Sequence, residues 1–251
     1  LSQYRFRHIL FQRYLYHSLN AAERAYLHEA VGSALEELYG ERTGEIAVHL
    51  ARHFQEAGIT EKAVDYLHQA GKRAVRLSAH QEAIAHFNRG LRLLEGLAET
   101  PERIQQELDL QIALGVPLVM SKGHAAPEVE ETYARARELY EHAYAGDAHQ
   151  HFQVVLGLRR FYLLRGQVGT AHELGEQLLT FAQSVGDATY LSRAHSMQGE
   201  VLLHLGAFSQ TRERCEQGMA WYDPQQRRSH ILLFGNDTET GLRISEACTL
   251  I

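Results

Sequence analysis

The run TEKAVDYLHQAGKRAVRLSAHQEAIAHFNRGLRLL, residues 60–94, decides the fold class. Ala63, Val64, Leu67, Ala70, Gly71, Ala74 and Leu77 recur at intervals of three and four, which stacks them on one side of a helix. Ala83, Ile84, Phe87, Leu91 and Leu94 repeat that pattern directly afterwards. The connection from Ser78 to Gln81 is too short for anything but an antiparallel partner, so the stretch reads as a helical hairpin.

Working outward, helix-start signals recur. Thr100-Pro101 and Asp223-Pro224 each set a capping side chain before a proline whose fixed φ suits a first helical position. Asn20 with Glu23 has the spacing of a capping box. Helices are expected at 7–18, 20–39, 42–57, 60–77, 80–97, 101–120, 126–144, 147–165, 168–185, 188–205 and 208–222. Nothing long remains for strands. Ala83/Phe87/Gly90 has counterparts in Val129/Tyr133/Ala136, Ala171/Gly175/Leu178 and Thr211/Cys215/Gly218, at successive spacings of 46, 42 and 40 residues. A two-helix unit repeating at that period predicts an all-α fold, an α-α superhelix or solenoid of antiparallel helix pairs.

Composition agrees and removes several alternatives. Only 4 prolines interrupt 251 residues rich in Leu, Ala, Glu, Gln and Arg, a balance that favours helix and excludes an all-β fold. No apolar run is long enough for a membrane span. Arg5, Arg7 and Arg13 break the opening stretch as they would not in a signal peptide, so a cytoplasmic protein is expected. The chain opens on Leu1 rather than Met, which predicts a piece of a longer protein. Cys215 and Cys248 have no partner spacing for a disulfide framework or a zinc site. The formal charge of -6 gives no electrostatic reason to expect nucleic acid or an anionic membrane as partner.

Within each unit the residue types are similar to tetratricopeptide (TPR) repeats. That pattern has a small residue midway along the first helix, another at the turn, and a small-large-small order along the second. Gly71, Ala83, Phe87 and Gly90 fit it, as do Tyr162, Gly166 and Ala171, then Gly199 and Gly206. The unit from Leu114 to Ala136 fits with a longer turn through Gly123 and Pro127.

The opening Tyr4-Arg5-Phe6-Arg7-His8-Ile9-Leu10-Phe11-Gln12, then Tyr14 to Leu19, Glu23-Arg24 and Leu27-His28 through Leu35-Glu36, resembles a junction in bacterial signal-transduction ATPases. In that superfamily a phosphate-loop ATPase and a winged helix precede a TPR-like arm. The resemblance extends over Glu45 to Gly58 and over GHAAPEVEETYARARELYE, residues 123–141. The relatives it points to are regulators of the maltose-regulon-activator type and proteins joining a nucleotide cyclase, an ATPase and TPR repeats. It implies a regulatory arm that receives a ligand or partner and contacts the ATPase module of the parent chain. Three segments are expected: a junction at 1–58, helix-pair repeats at 59–223, and an irregular tail or incomplete further repeat at 224–251. Beyond Phe234-Gly235-Asn236-Asp237 the pattern fails, which predicts a frayed or associating C-terminus.

Catalytic signatures are missing. Gly71-Lys72 has Tyr66 where a phosphate loop needs its first glycine and Arg73 where it needs a hydroxyl, so this chain is not expected to hydrolyse ATP. Cyclase activity, where a parent has it, lies outside these residues. No serine elbow or Cys/His nucleophile pair is legible, so the chain is expected not to be an enzyme and to need no cofactor.

Other clusters have structural readings. His49 and His53 share a helix face but have no third ligand, so no metal site is expected and a histidine-based metalloprotein is the least favoured alternative. His149 and His151 point in different directions and are expected to be exposed. Tyr4, Phe6, Phe11, Tyr14 and Tyr16 interleave with Arg5, Arg7 and Arg13, and are expected to pack on the first helix pair rather than to stack nucleic-acid bases. Arg159-Arg160 and Arg227-Arg228 read as ordinary charged faces. First helices of a TPR superhelix line its concave groove, and the repeat phase puts Lys72, Arg76, Lys122, Arg160, Glu200 and His204 near it. Such residues suit a protein or peptide partner carrying carboxylates. A stand-alone TPR adaptor is the alternative function.

Overall fold

The computed structural model describes residues 9–142, 147–234 and 237–250, and these are all-α, with no strand among the described residues. Tyr4 to His8, the expected end of a helix at 143–144, and Gly235 with Asn236 lie outside them. The chain divides into two compact units, 1–113 and 114–251. The segment boundaries expected at 58 and 223 fall inside these units.

The first unit contains α1 (Ile9–Ser18), α2 (Ala21–Tyr39), a 3-10 turn (Gly40–Glu45), α3 (Ala47–Glu56), α4 (Thr60–Arg76), α5 (His80–Leu94) and the start of α6 (Pro101–Lys122). The Asn20 capping box is formed, with the Glu23 amide donating to Asn20 Oδ1 and the Asn20 amide donating to Glu23 Oε2. Thr100 Oγ1 accepts from the Arg103 amide at the head of α6. The single helix expected at 42–57 is corrected. Its first part is the 3-10 turn, because Gly40 takes a positive φ and Thr43 to Ile46 closes with an i to i+3 hydrogen bond.

The core of this unit gathers Leu50, Ala51, Phe54, Ala63, Leu67 and Ala70 from α3 and α4. Phe54 stacks on Tyr66 at 5.7 Å, and the Tyr66 hydroxyl donates to Glu36 Oε1 at 2.6 Å. Gly71 and Phe87 stand at matching distances from the α4–α5 turn, as antiparallel helices require. A methyl group on Gly71 would overlap the Phe87 ring, so the small residue expected midway along the first helix is where the partner's large one lands.

The second unit contains the rest of α6, then α7 (Pro127–His142), α8 (Ala148–Leu164), α9 (Val168–Val185), α10 (Ala188–His204), α11 (Phe208–Trp221), a 3-10 turn (Pro224–Gln226), α12 (Arg227–Phe234) and α13 (Thr238–Ala247). Helices adjacent in sequence pack together from α7 through α11. Tyr133 of α7 is buried against Gly115 and Gly157, where added methyl groups would overlap its ring. The Asp147 side chain caps α8 in a capping box with Gln150, and Asp187 caps α10.

All members of the four small-large-small sets read from the sequence are buried, from Ala83/Phe87/Gly90 to Thr211/Cys215/Gly218. The turns repeat as well. At Gly58, Ser78, Gly166 and Gly206 the backbone takes a positive φ, the same residue's amide reaches back three residues, and the next amide reaches back five. These hydrogen bonds close the last turn of one helix and aim the chain into the next.

Among the described residues the C-terminal segment is helical rather than frayed. Asp237 accepts the Glu239 amide, starting α13, and α13 packs on both α10 and α11 with Leu242 fully buried against Gly218. The threonines and glycine that read as irregular serve as helix-start and close-packing positions.

Candidate functional site

Of the six groove candidates, Lys72 and Arg76 lie exposed on α4 of the first unit. The other four belong to the second unit. Lys122 closes α6 and forms an ion pair with Glu128, and His204 at the end of α10 bonds through Nδ1 to the Glu200 carbonyl at 2.8 Å. Arg160 of α8 and Glu200 of α10 are brought into the same field, together with His124 from the loop after α6.

That field has a deeper origin. Arg159 was expected on a charged face; it is instead fully buried, and this is a correction. It occupies the stripe Phe152, Val155, Arg159 and Leu163, so helical periodicity carries it inward with its apolar neighbours. Its Nη1 and Nη2 both donate to Glu200 Oε2 at 3.0 Å, and Nη2 also donates to the Met197 carbonyl. Arg193 is buried in the same way, in phase with Met197 and Val201 on α10. Long charged side chains enter a packed interior only with compensation, since desolvating each ion costs roughly several kcal/mol.

Burial, followed by the Arg159 charge, pushes the Arg193 guanidinium down to about 10, so it stays protonated at neutral pH. Burial also lowers Arg159, against the pull of Glu200. Burial alone would raise Glu200, but Arg159, Arg160 and Arg193 together hold it low. His124 is lowered by its own burial and then by Arg160, with Glu200 opposing, so it is a neutral imidazole in this cluster. The result is a cationic cluster around one ionised carboxylate.

The sequence signal for both was an arginine in an apolar helical phase; Arg159 was read as part of a charged face and Arg193 was not singled out. His149 and His151 are also corrected: both are half-buried, and His151 packs between Tyr140 and Phe181 at 4.8 and 4.3 Å. Phe11 and Tyr14 remain exposed on α1, whereas Tyr16 reaches His28, so packing of the opening aromatics is partial. His53 meets His28 across α2 and α3 at 3.0 Å, with His49 exposed. Among the described residues no three His, Cys, Asp or Glu side chains gather as metal ligands. No described helix is long and apolar enough to cross a membrane.

No protein-family profile matches the chain. The chain is 23% identical over 232 residues to a protein of Rhizobium meliloti (strain 1021) described as uncharacterized. That alignment covers 92% of this chain and 22% of the relative, so the chain spans about a fifth of the protein it matches.

Proposed function

We propose that the chain is a non-catalytic helical-repeat interaction module of TPR type, the regulatory arm of a multidomain bacterial signalling ATPase working in the cytoplasm. The observation that carries the repeat reading is the recurrence of one turn geometry at Gly58, Ser78, Gly166 and Gly206, joined to burial of every small-large-small position. A module built this way exposes polar faces of successive helices, which suits capture of an extended partner rather than bond-making chemistry. Similarity to one fifth of a much longer protein supports the place of the chain within a larger polypeptide.

In this reading the partner or ligand engages the second unit where Arg160 of α8 and Glu200 of α10 stay half-buried, and the first unit contacts the ATPase module. Regulation then requires that the occupied arm favour one of two states of the parent over the other. The test is the coding sequence upstream of Leu1 in the same frame. A phosphate-loop ATPase module there is expected, whereas a nearby initiator codon with no such module replaces the regulatory arm by a stand-alone adaptor.

A further inference from the structure

Three polar side chains link α1, α2 and α3 in a line. The Tyr16 hydroxyl of α1 lies 3.0 Å from His28 Nε2, and His28 Nδ1 on α2 lies 3.0 Å from His53 Nδ1 on α3. All three residues are half-buried. Two nitrogens at that separation hold one hydrogen between them and have no room for a second.

The hydrogens can be followed along the line. When His28 Nδ1–H donates to His53 Nδ1, neutral His28 keeps a bare Nε2 that accepts the Tyr16 hydroxyl. When His53 Nδ1–H donates instead, His28 Nε2–H donates to the Tyr16 oxygen. One excess proton is also accommodated, because both N–H groups of a charged His28 find acceptors, His53 Nδ1 and the Tyr16 oxygen. A second is not. It would set N–H against N–H and imidazolium against imidazolium across the α2–α3 contact.

The surroundings do not relieve that conflict. Burial first, then His28, Arg52 and His49, lower His53 from the ordinary 6.5, and no carboxylate acts on it. On the α1 side Arg24 lies over the Tyr16 ring at 5.7 Å and His17 meets the ring edge. Glu36, further along α2, is engaged by Lys62 and Tyr66 of α4, and Arg42 of the 3-10 turn lies over Tyr39.

We propose that Tyr16, His28 and His53 form an acid-operated latch, which ties α1 and the first half of α2 to α3 until both imidazoles are protonated and then lets go. The sign follows from His53: the folded chain resists a proton that the opened chain accepts, so closure is favoured above the ordinary histidine range and lost as pH falls below it. An effect on an ATPase module rests on the proposed contact of the first unit with that module. The latch itself does not, so the two fail separately.

The experiment is hydrogen exchange of the purified chain at pH 7 and pH 5, with the intrinsic pH dependence of exchange removed. Amides of α1 and of α2 around His28 are expected to lose protection about tenfold at the lower pH, relative to those of α5. His53→Gln and, separately, His28→Gln leave a single titrating imidazole and should abolish that relative loss. Should both variants fold poorly, imidazole nitrogen resonances of the unaltered chain decide. They should show the pair taking up its two protons in separate steps, with exchange rising at the second. Equal loss in the variants, no relative loss in the unaltered chain, or two independent and coincident titrations overturns the proposal.

Discussion

Ser78 holds a positive φ of 58° at a turn whose equivalents are glycines at 58, 166 and 206. The side chain is exposed and a Cβ in this region carries a steric penalty of roughly 1 kcal/mol. Glycine removes that penalty but gains freedom in the unfolded chain. Ser78→Gly is therefore expected to stabilise by about 0.5 kcal/mol, and Gly206→Ala to destabilise by about 1 kcal/mol. Urea denaturation read by helical circular dichroism distinguishes them, and equal effects would remove the argument that the two turns share one geometry.

His68 is a second residue with a readable consequence. Burial, then the nearby Lys72 charge, lowers it from 6.5 to about 4, and its Nε2 is enclosed without a hydrogen-bond partner beside the Phe87 ring. Between those two values the unfolded chain binds a proton that the folded chain refuses. Stability is thus expected to fall as pH drops from 6.5 towards 4 and to gain nothing further from this group below that. His53 and His86 are lowered in the same direction, so His68→Leu should flatten the decline without abolishing it. Urea midpoints at pH 7 and pH 5 check this; an unchanged slope in the variant would show that His68 is not the group responsible.

Among the elements, α13 is where local reading and structure part. Its start depends on Asp237, which accepts the Glu239 amide, receives the Tyr222 hydroxyl at 2.9 Å and pairs with Arg227 at 3.1 Å. Asp237→Ala is expected to cost about 2 to 3 kcal/mol, combining a lost cap with a buried hydroxyl left unpaired. Hydrogen exchange should show the α13 amides losing protection before those of α10; uniform loss would contradict a local role. α4 and α5 were legible because a long amphipathic period coincides with a short turn. α13 was not, since its ten residues carry few apolar side chains and its helical state depends on docking against α10 and α11. The 3-10 turn at Gly40–Glu45 was hidden for a related reason: its residues have no periodicity to betray a change of helix type.

At the scale of the whole molecule, both compact units use one turn geometry, at Gly58 and Ser78 in the first and at Gly166 and Gly206 in the second, and both pack small residues against large ones. The candidate site was only half legible. Arg160 and Glu200 were picked out by repeat phase, while Arg159, a charged residue in an apolar stripe, was credited to the surface and Arg193 was not singled out. Pro117 lies within α6, where it cannot donate a hydrogen bond to the Ala113 carbonyl.

A regulatory arm must change the activity of the polypeptide that contains it without turning over substrate itself. The decisive measurement is ATP hydrolysis by the full-length gene product, with and without residues 1–251, beside the isolated chain. The account predicts hydrolysis by the full-length protein, a changed rate on deletion, and none by the isolated chain. Hydrolysis by the isolated chain, or a full-length protein with no ATPase activity, would contradict it.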